Sequence, residues 1–146
     1  MDLSPDERDQ LAALFNGVAH SARVAILHGL AENKPLTAVV DDVSVTRGTL
    51  QTHVERMIES DLVFRPSDGD QTYALTPLGE YVLTLIEEEA PVLLQAATRI
   101  AEEEATIEES LEAAGVSMDE STRKKTVHTQ KWEDTLDEIR AMLDED

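Results

Sequence analysis

The chain has 146 residues, of which 41% are hydrophobic but only 3% aromatic, and it carries 31 acidic against 12 basic residues, a formal net charge of −19. This length suits about one ordinary domain, whose core must be aliphatic. The sequence contains no cysteine, which excludes disulfide bonds, thiolate metal sites and thiol redox sensing. No apolar run approaches the ~18 residues of a transmembrane helix, and no basic-plus-apolar signal opens the chain. We therefore expect a cytoplasmic protein with no membrane partner.

The combination of high net charge and ordinary hydrophobicity predicts a folded protein with a strongly hydrated acidic surface, as in the cytoplasm of an extreme halophile. In dilute buffer, repulsion among the carboxylates would loosen such a fold, and molar salt would screen that repulsion. The alternative interpretation is an acidic protein from an organism of ordinary salinity.

The first two helices have clear start and stop signals. Ser4 and Glu7 form a capping box around a proline at the first helical position, and apolar residues follow at helical spacing. A second helix begins at Ser21 and is broken by the Asn-Lys-Pro sequence at 33–35.

Two further helices follow. We expect Thr37 to cap a short third helix and Thr46 to cap a fourth, over about 46–60. Apolar residues of the fourth helix recur at helical spacing, which predicts one buried face. They are Leu50, Val54, Met57 and Ile58.

A β-hairpin is predicted over about 62–75. The sequence Pro-Ser-Asp-Gly-Asp at 66–70 is a strong turn signal, and 71–75 alternates as a strand does. Another helix then begins at Thr76. The first part of the chain is therefore a set of short helices followed by a hairpin, an order typical of a winged helix-turn-helix.

The composition changes near 87–91, where three glutamates precede Ala-Pro. Residues 1–86 hold 13 acids and 6 bases, whereas residues 87–146 hold 18 acids and 6 bases. We expect a long helix over 91–114, a second capping box from Ser117 to Glu120, and a last helix at about 121–143. The apolar stripe expected on that last helix is Trp132, Leu136, Ile139 and Leu143.

These patterns predict two parts, a winged helix-turn-helix DNA-binding domain at 1–88 and a helical C-terminal extension at 89–146. The fold class is mainly α with a small β-hairpin, followed by long C-terminal helices. Two interpretations of the extension stay open: its helices pair between two chains as dimerisation arms, or the last helix folds back on its own winged domain.

The second helix of a helix-turn-helix enters the major groove of double-stranded DNA, and its outer face must offer hydrogen-bonding groups to phosphates and bases. Here that face is small and polar near the start of the helix. The residues expected to contact DNA are Thr46, Arg47, Thr49, Gln51, Thr52 and Arg56 on the helix, with Arg65 and Gln71 in the hairpin.

Three segments resemble a known family. FNGVAHSARVAIL at 15–27 resembles the F-x-x-L-x-H-P-x-R-x-x-I-L opening of the ArsR-like winged-helix regulators. HVERMIESDLV at 53–63 resembles their H-L-x-x-L-x-x-A-G-L-V recognition helix. YALTPLG at 73–79 is similar to the Y-x-L-T-x-x-G wing exit shared with PadR-like and MarR-like regulators. The resemblance covers about residues 11–86 and implies a homodimeric, cytoplasmic, sequence-specific transcription regulator.

The chain also departs from that family pattern. It is about two residues shorter between the third helix and Thr49, and Ser44 stands where a turn glycine is usual. Asp68 and Asp70 occupy the hairpin tip, where family members often carry arginine. These acids weaken the expected contact between the wing and DNA.

No metal, cofactor or enzymatic activity is expected. The four histidines (20, 28, 53 and 128) are scattered, and no Gly-rich phosphate loop, HExxH or G-x-S-x-G sequence occurs. We expect His20 to serve at the start of the second helix. For His53, contact with a phosphate and packing or a local hydrogen bond both stay open.

Two other functions remain alternatives. One is a winged-helix protein-interaction module that docks on transcription machinery without gripping DNA, which the net charge and acidic wing favour. The other is a dimer that senses an unknown small-molecule effector near Tyr81 or Trp132. If the chain does bind DNA, cations held between phosphates and Glu55 or Glu59 are a hypothesis for how it tolerates its acidity.

Overall fold

The computed structural model describes residues 1–43, 45–67 and 72–144. Its elements are α1 (Pro5–Asn16), α2 (Ser21–Ala31), α3 (Leu36–Asp42), α4 (Arg47–Glu59), β1 (Val63–Phe64), β2 (Ala74–Leu75), α5 (Pro77–Ala113) and α6 (Glu120–Asp144). The expected mainly α fold with a small hairpin and long C-terminal helices is confirmed. The chain forms two compact units, Met1–Ile86 and Glu87–Asp146, hereafter unit 1 and unit 2.

The predicted starts of α1, α2 and α4 are confirmed by their caps. The Ser4 hydroxyl accepts from the Glu7 amide, and the Glu7 carboxylate accepts from the Ser4 amide. Nδ1 of His20 accepts from the Ala22 amide over 3.0 Å. The Thr46 hydroxyl accepts from the amide of the residue three positions on, at 3.2 Å. These side chains satisfy amide groups that a helix N-terminus leaves without partners.

The expected cap of α3 is wrong. The helix begins at Leu36 directly after Pro35, whose side chain makes no capping bond, so Thr37 lies inside the first turn. Asn33 adopts the left-handed conformation (φ 58°), which reverses the chain after α2. Proline, at φ −69°, occupies the N-cap position and has no side-chain hydrogen-bonding group, so the first turn of α3 has no side-chain cap.

Unit 1 is built around an aliphatic core to which α2, α3, α4 and the hairpin contribute. The predicted stripe of α4 faces it: Leu50, Val54 and Met57 are at most 2% exposed, and Ile58 packs against the cluster. The other buried hydrophobic members are Ile26, Leu27, Leu30, Val39, Leu62, Val63, Tyr73, Leu75 and Leu83. The burial of one face leaves the opposite face of α4 in solvent.

The hairpin is antiparallel but shorter than the sequence suggested. Val63 pairs with Leu75 and Phe64 pairs with Ala74, so each strand has two residues. The predicted strand at 71–75 is therefore confirmed only for its last two residues. The tip at 68–71 lies outside the described residues.

Thr76 and Gly79 join α5 to the end of α4. The Thr76 hydroxyl donates to the carbonyl of Asp61 over 2.6 Å and accepts from the Gly79 amide over 3.0 Å. A Cβ atom at Gly79 would lie 2.2 Å from the carbonyl oxygen of Leu62, so only glycine permits this approach. The Thr-x-x-Gly sequence at 76–79 thus has a direct structural reason.

The helix predicted from Pro91 does not begin there. α5 runs without interruption from Pro77 to Ala113, with Pro91 inside it. An internal proline removes one helical hydrogen bond and costs about 3 kcal/mol. Good helix formers surround it, and buried apolar residues lie before and after it (Leu83 and Ala96, each 6% exposed), so the helix persists through the gap.

Within unit 2, α6 lies antiparallel to the second half of α5. Arg99 bonds Glu138 over 3.0 Å, and Lys131 bonds Glu104 over 2.8 Å. Arg99 precedes Glu104 along α5, whereas its partner Glu138 follows Lys131 along α6. The two helices therefore run in opposite directions. Gly115, in the left-handed conformation (φ 66°), reverses the chain between the two helices.

Two details of α6 differ from the sequence-based expectation. Its N-terminus is capped by Asp119, which accepts from the Thr122 amide over 2.8 Å, rather than by a box starting at Ser117. The buried face comprises Val127, Thr135 and Ile139. Of the expected stripe, Trp132 is half-buried and Ile139 is buried, but Leu136 and Leu143 are 41% and 49% exposed. The expected stripe thus overlaps the buried face of α6 only in part.

Candidate nucleic-acid interface

The solvent side of α4 is a polar surface that begins at its capped N-terminus. We call it the α4 outer face; its exposed residues are Thr46, Arg47, Gly48, Thr49, Thr52, Glu55, Arg56 and Glu59. Five of the eight residues expected to contact DNA lie on it. The sequence places them there because Leu50, Val54 and Met57 turn the opposite side of the helix into the core.

The threonine hydroxyls of the α4 outer face are ordered by bonds within the helix. Thr46 and Thr49 share a hydroxyl contact of 3.0 Å, and the Thr52 hydroxyl donates to the Gly48 carbonyl over 3.1 Å. A hydroxyl has one donor and two acceptor lone pairs, so Thr52 keeps its lone pairs for an outside donor. Such a donor could be the exocyclic amino group of a cytosine or adenine in the major groove.

Gly48 leaves an open space on the same surface. A Cβ atom there would meet nothing within 4 Å, so the fold itself does not require glycine at this position. Glycine in a helix is unfavourable by roughly 0.5–1 kcal/mol relative to alanine. A glycine that no internal contact explains is consistent with the close approach of another molecule.

Gln51 and Arg65, two of the expected contact residues, converge on Tyr73. Nε2 of Gln51 donates to the Tyr73 hydroxyl over 2.8 Å, and the Arg65 guanidinium carbon lies 5.4 Å from the centre of its ring. Tyr73 is only 8% exposed. Gln51 therefore links α4 to the hairpin and retains its amide oxygen for other partners, while Arg65 is exposed beside it. The eighth expected residue, Gln71, lies outside the described residues, as do Ser44, Asp68 and Asp70.

The local charge of this region differs from that of the whole chain. Residues 46–67 carry three basic side chains (Arg47, Arg56 and Arg65) and three acidic ones (Glu55, Glu59 and Asp61). The segment is thus formally neutral in a chain of net charge −19. A phosphate backbone meets less repulsion here than the total charge suggests.

A groove runs beside the α4 outer face. A cavity of about 480 Å³ lies between the turn before α3, Gln51 and the start of β2, and one of about 180 Å³ continues it along α3 toward Arg47. Leu36 and Thr37 line both. No group of three or more His, Asp or Glu side chains converges as a metal site within the described part of the chain.

Sequence reasoning did not identify the contact that holds α4 on α2. Nε of Arg23 donates to Nδ1 of His53 over 3.1 Å, and both residues are 8% exposed. Of the two possibilities left open for His53, the structure supports the local hydrogen bond. In the sequence, only the spacing of histidine and arginine within 15–27 drew attention to Arg23. That spacing does not indicate that its partner lies 30 residues away.

No family model, curated protein or solved structure matches the chain. None of the described helices is long and apolar enough to cross a bilayer.

Proposed function

We propose that the protein is a sequence-specific, DNA-binding transcription regulator that acts as a homodimer in the cytoplasm at high salt. In this proposal α3 and α4 form a helix-turn-helix, α4 enters the major groove and the hairpin is the wing. The observation that carries the proposal is the α4 outer face, with its capped N-terminus, ordered hydroxyl groups, arginines at both ends and an unexplained glycine. This resembles the chemistry by which a helix reads base edges.

The dimensions of α4 suit this role. Its 13 residues span about 20 Å, and the major groove is about 12 Å wide, enough to admit a helix. Thr46, Arg47 and Thr49 lie at the N-terminal end, the part of a recognition helix that approaches bases most closely. Arg56 lies two turns further on, where it would meet a phosphate group.

The proposed homodimer is supported by an uncovered apolar surface in unit 1. Helix α1 has no buried residue, and its Leu11 and Phe15 are 39% and 61% exposed. The first turns of α5 expose Leu78, Tyr81 and Leu85 as well. We call these five residues the unit 1 apolar surface. A 12-residue helix is marginal alone, and a second copy of the chain would cover it while presenting two α4 helices to a two-fold DNA site.

The C-terminal helices are a second candidate for the dimer contact. Part of their surface is used within unit 2, where Ala96 of α5 is 6% exposed and Arg99 of α5 pairs with Glu138 of α6. Leu93, Leu94, Leu136 and Leu143 remain exposed. We favour the unit 1 apolar surface because Leu14 of α1 packs against the core, whereas Leu11 and Phe15 of the same helix remain exposed.

Adaptation to high salt reconciles the acidic chain with DNA binding. In molar salt the Debye length is about 3 Å, so repulsion between the chain and DNA is confined to direct contacts. Counterion release also contributes little, and affinity must come from local hydrogen bonds and fit. Cations held between phosphates and Glu55 or Glu59 would add to the affinity. DNA binding by the Glu55→Gln and Glu59→Gln variants would then change less with salt concentration than DNA binding by the unmodified chain.

The proposal is tested by fluorescence anisotropy with DNA from upstream of the protein's own gene and with the same DNA shuffled, from about 0.2 to about 3 M KCl, a range from weak to strong screening. We expect tight binding that prefers the native sequence at high salt. We expect Arg47→Ala and Thr52→Ala to lose that preference, and Arg140→Ala on α6 to retain it as the matched control. Equal affinity for native and shuffled DNA at every salt concentration would contradict the proposal.

The alternative function is a protein-interaction module that docks on transcription machinery without gripping DNA. It is favoured by Glu55 and Glu59, which are exposed on α4 and would repel phosphate. In that case Arg47→Ala would change the capture of a partner polypeptide, and no DNA sequence would bind preferentially. A small-molecule effector remains part of the proposal without an assigned site: Tyr81 is 68% exposed, whereas the cavity of about 480 Å³ beside α4 is lined by Leu30, Pro35 and Tyr73.

A further inference from the structure

Arg23 on α2 connects three helices of unit 1. Its Nε–H donates to Nδ1 of His53 on α4 over 3.1 Å, and its Nη1 donates to the carbonyl of Asn16 at the end of α1. Arg23 and His53 are each 8% exposed. Hydrogen bonds shielded from water in this way are stronger than those at the surface, and breaking them is correspondingly costly.

The chemistry of the two side chains determines where the protons lie. A guanidinium has five donors and no acceptor, so Nδ1 of His53 must offer a lone pair and the ring must be neutral, with its proton on Nε2. The ring of His20 lies beside it, with centroids 4.3 Å apart. Nδ1 of His20 is also an acceptor, because it receives the amide proton of Ala22. The bond from Arg23 thus holds the His53 ring in its neutral form.

The surroundings of His53 oppose an additional positive charge. The charged and titratable groups acting on it are His20 and Arg23 from the start of α2 and Arg56 from α4, and all are basic. Burial of the ring, together with these three groups, lowers the pKa of His53 below its ordinary value of 6.5. In a chain of net charge −19, this cluster is an exception.

We propose that Arg23 and His53 are positioning residues for the DNA-reading helix, and that protonation of His53 breaks their bridge and loosens α4 from α2. An imidazolium has no lone pair, so Nδ1–H would face the Arg23 donor and two cations would share a site largely shielded from water. The effect on DNA rests on the proposed function, whereas the bridge itself is a property of unit 1 without DNA.

The direction of the pH effect follows from linkage. Because the folded protein lowers the pKa of His53, the stabilisation from the neutral bridge is complete above about pH 6.5 and is lost as the pH falls through the lower folded value. If only the bridged form binds DNA well, affinity falls about tenfold for each pH unit below that folded value.

The first test observes the bridge without DNA. The Arg23 Nε–Hε resonance is followed by ¹⁵N NMR from about pH 8 to about pH 5 in ~3 M KCl, where repulsion is screened. We expect the signal to shift or disappear together with the titration of the His53 ring. A resonance that stays unchanged while His53 titrates would overturn the proposal, and this measurement requires no substitution.

The second test uses His53→Asn, since asparagine Oδ1 can replace Nδ1 as an acceptor but does not titrate. His128→Asn, which removes an exposed histidine of α6, is the matched control. DNA affinity is measured over the same pH range on protein verified as folded by circular dichroism. We expect the unmodified chain and His128→Asn to lose affinity in acid and His53→Asn to keep it.

The possible outcomes separate the two proposals. If His53 had only a structural role, its protonation would not change the DNA affinity of folded protein. The same loss of affinity in all three proteins would therefore overturn the positioning role. If none of the three binds DNA at any pH, the proposed function fails and with it the positioning role, whereas the Arg23 resonance still decides whether the bridge responds to pH.

Discussion

The side-chain amide of Gln51 donates a hydrogen bond of 2.8 Å to the hydroxyl group of Tyr73, across 22 positions of sequence. The bond ties the middle of α4 to the residue that precedes β2. Tyr73 is 8% exposed and also lies beneath the Arg65 guanidinium. The orientation of the hairpin is therefore coupled to that of α4, so a wing and a recognition helix built in this way would meet DNA as one surface.

Replacing Tyr73 with phenylalanine tests this coupling. Tyr73→Phe removes the acceptor of Gln51 while the ring remains packed, and a hydrogen bond of this kind contributes about 0.5–1.5 kcal/mol. We expect the free energy of unfolding from urea titration to fall by that amount. Tyr81→Phe is the control, because Tyr81 is 68% exposed and should change stability by less than about 0.5 kcal/mol. Equal effects of the two variants would argue against the coupling.

Gly48→Ala is expected to separate stability from DNA binding. An added Cβ meets nothing within 4 Å, and alanine is the better helix former by up to about 1 kcal/mol. Thermal unfolding should therefore show equal or higher stability, whereas anisotropy should show weaker binding to native DNA. Gly29→Ala provides the contrast, since its Cβ would lie 2.4 Å from Val39 and should destabilise the fold. Unchanged DNA affinity in Gly48→Ala would show that nothing approaches this glycine.

The cap of α6 allows a paired test of Asp119 and Ser117. Hydrogen bonds from Thr122 lower the pKa of the Asp119 carboxyl below its ordinary value of 3.8. Its contribution is therefore present above about pH 4 and is lost as the pH falls through the lower folded value. At pH 7 we expect Asp119→Ala to lower the thermal stability of α6, measured by circular dichroism, and Ser117→Ala to have little effect. The reverse order would restore the capping box from Ser117 to Glu120.

The proposed dimer surface is tested with Phe15→Ser. Burying one phenylalanine contributes roughly 1.5–3 kcal/mol, so its loss from each protomer should weaken the dimer by at least about tenfold in sedimentation equilibrium. The folded monomer should be little affected, because Phe15 is already 61% exposed. Leu136→Ser, on the exposed edge of α6, is the comparison. If Leu136→Ser dissociates the dimer and Phe15→Ser does not, the C-terminal helices form the interface.

The sequence predicts those features of this fold that depend on neighbouring residues. The start of α4 follows from Thr46 as its cap and from the helical spacing of its apolar residues, and both are patterns among neighbouring residues. Pro91 misleads because its local preference is outweighed by packing on either side of it. The cap of α6 was misplaced because Asp119 and Ser117 are both good capping residues and only the course of the backbone decides between them.

These local patterns predict which residues share one face of a helix, but they do not predict which distant residues are in contact. Five of the expected DNA-contacting residues lie together on the α4 outer face, since helical periodicity alone places them there. The bonds from Gln51 to Tyr73 and from Arg23 to His53 join positions 22 and 30 residues apart. No spacing in a single sequence specifies such pairs, because they arise only when separate helices pack.

The central claim, that α4 reads DNA, is tested most directly by backbone amide NMR during titration with DNA from upstream of the protein's own gene, in ~3 M KCl, where long-range repulsion is screened. We predict that the largest shift changes fall on residues 46–56 and on Arg65, and that the native sequence produces them at lower concentrations than shuffled DNA does. Changes centred on α1 or α6, or identical changes with both DNAs, would contradict the account.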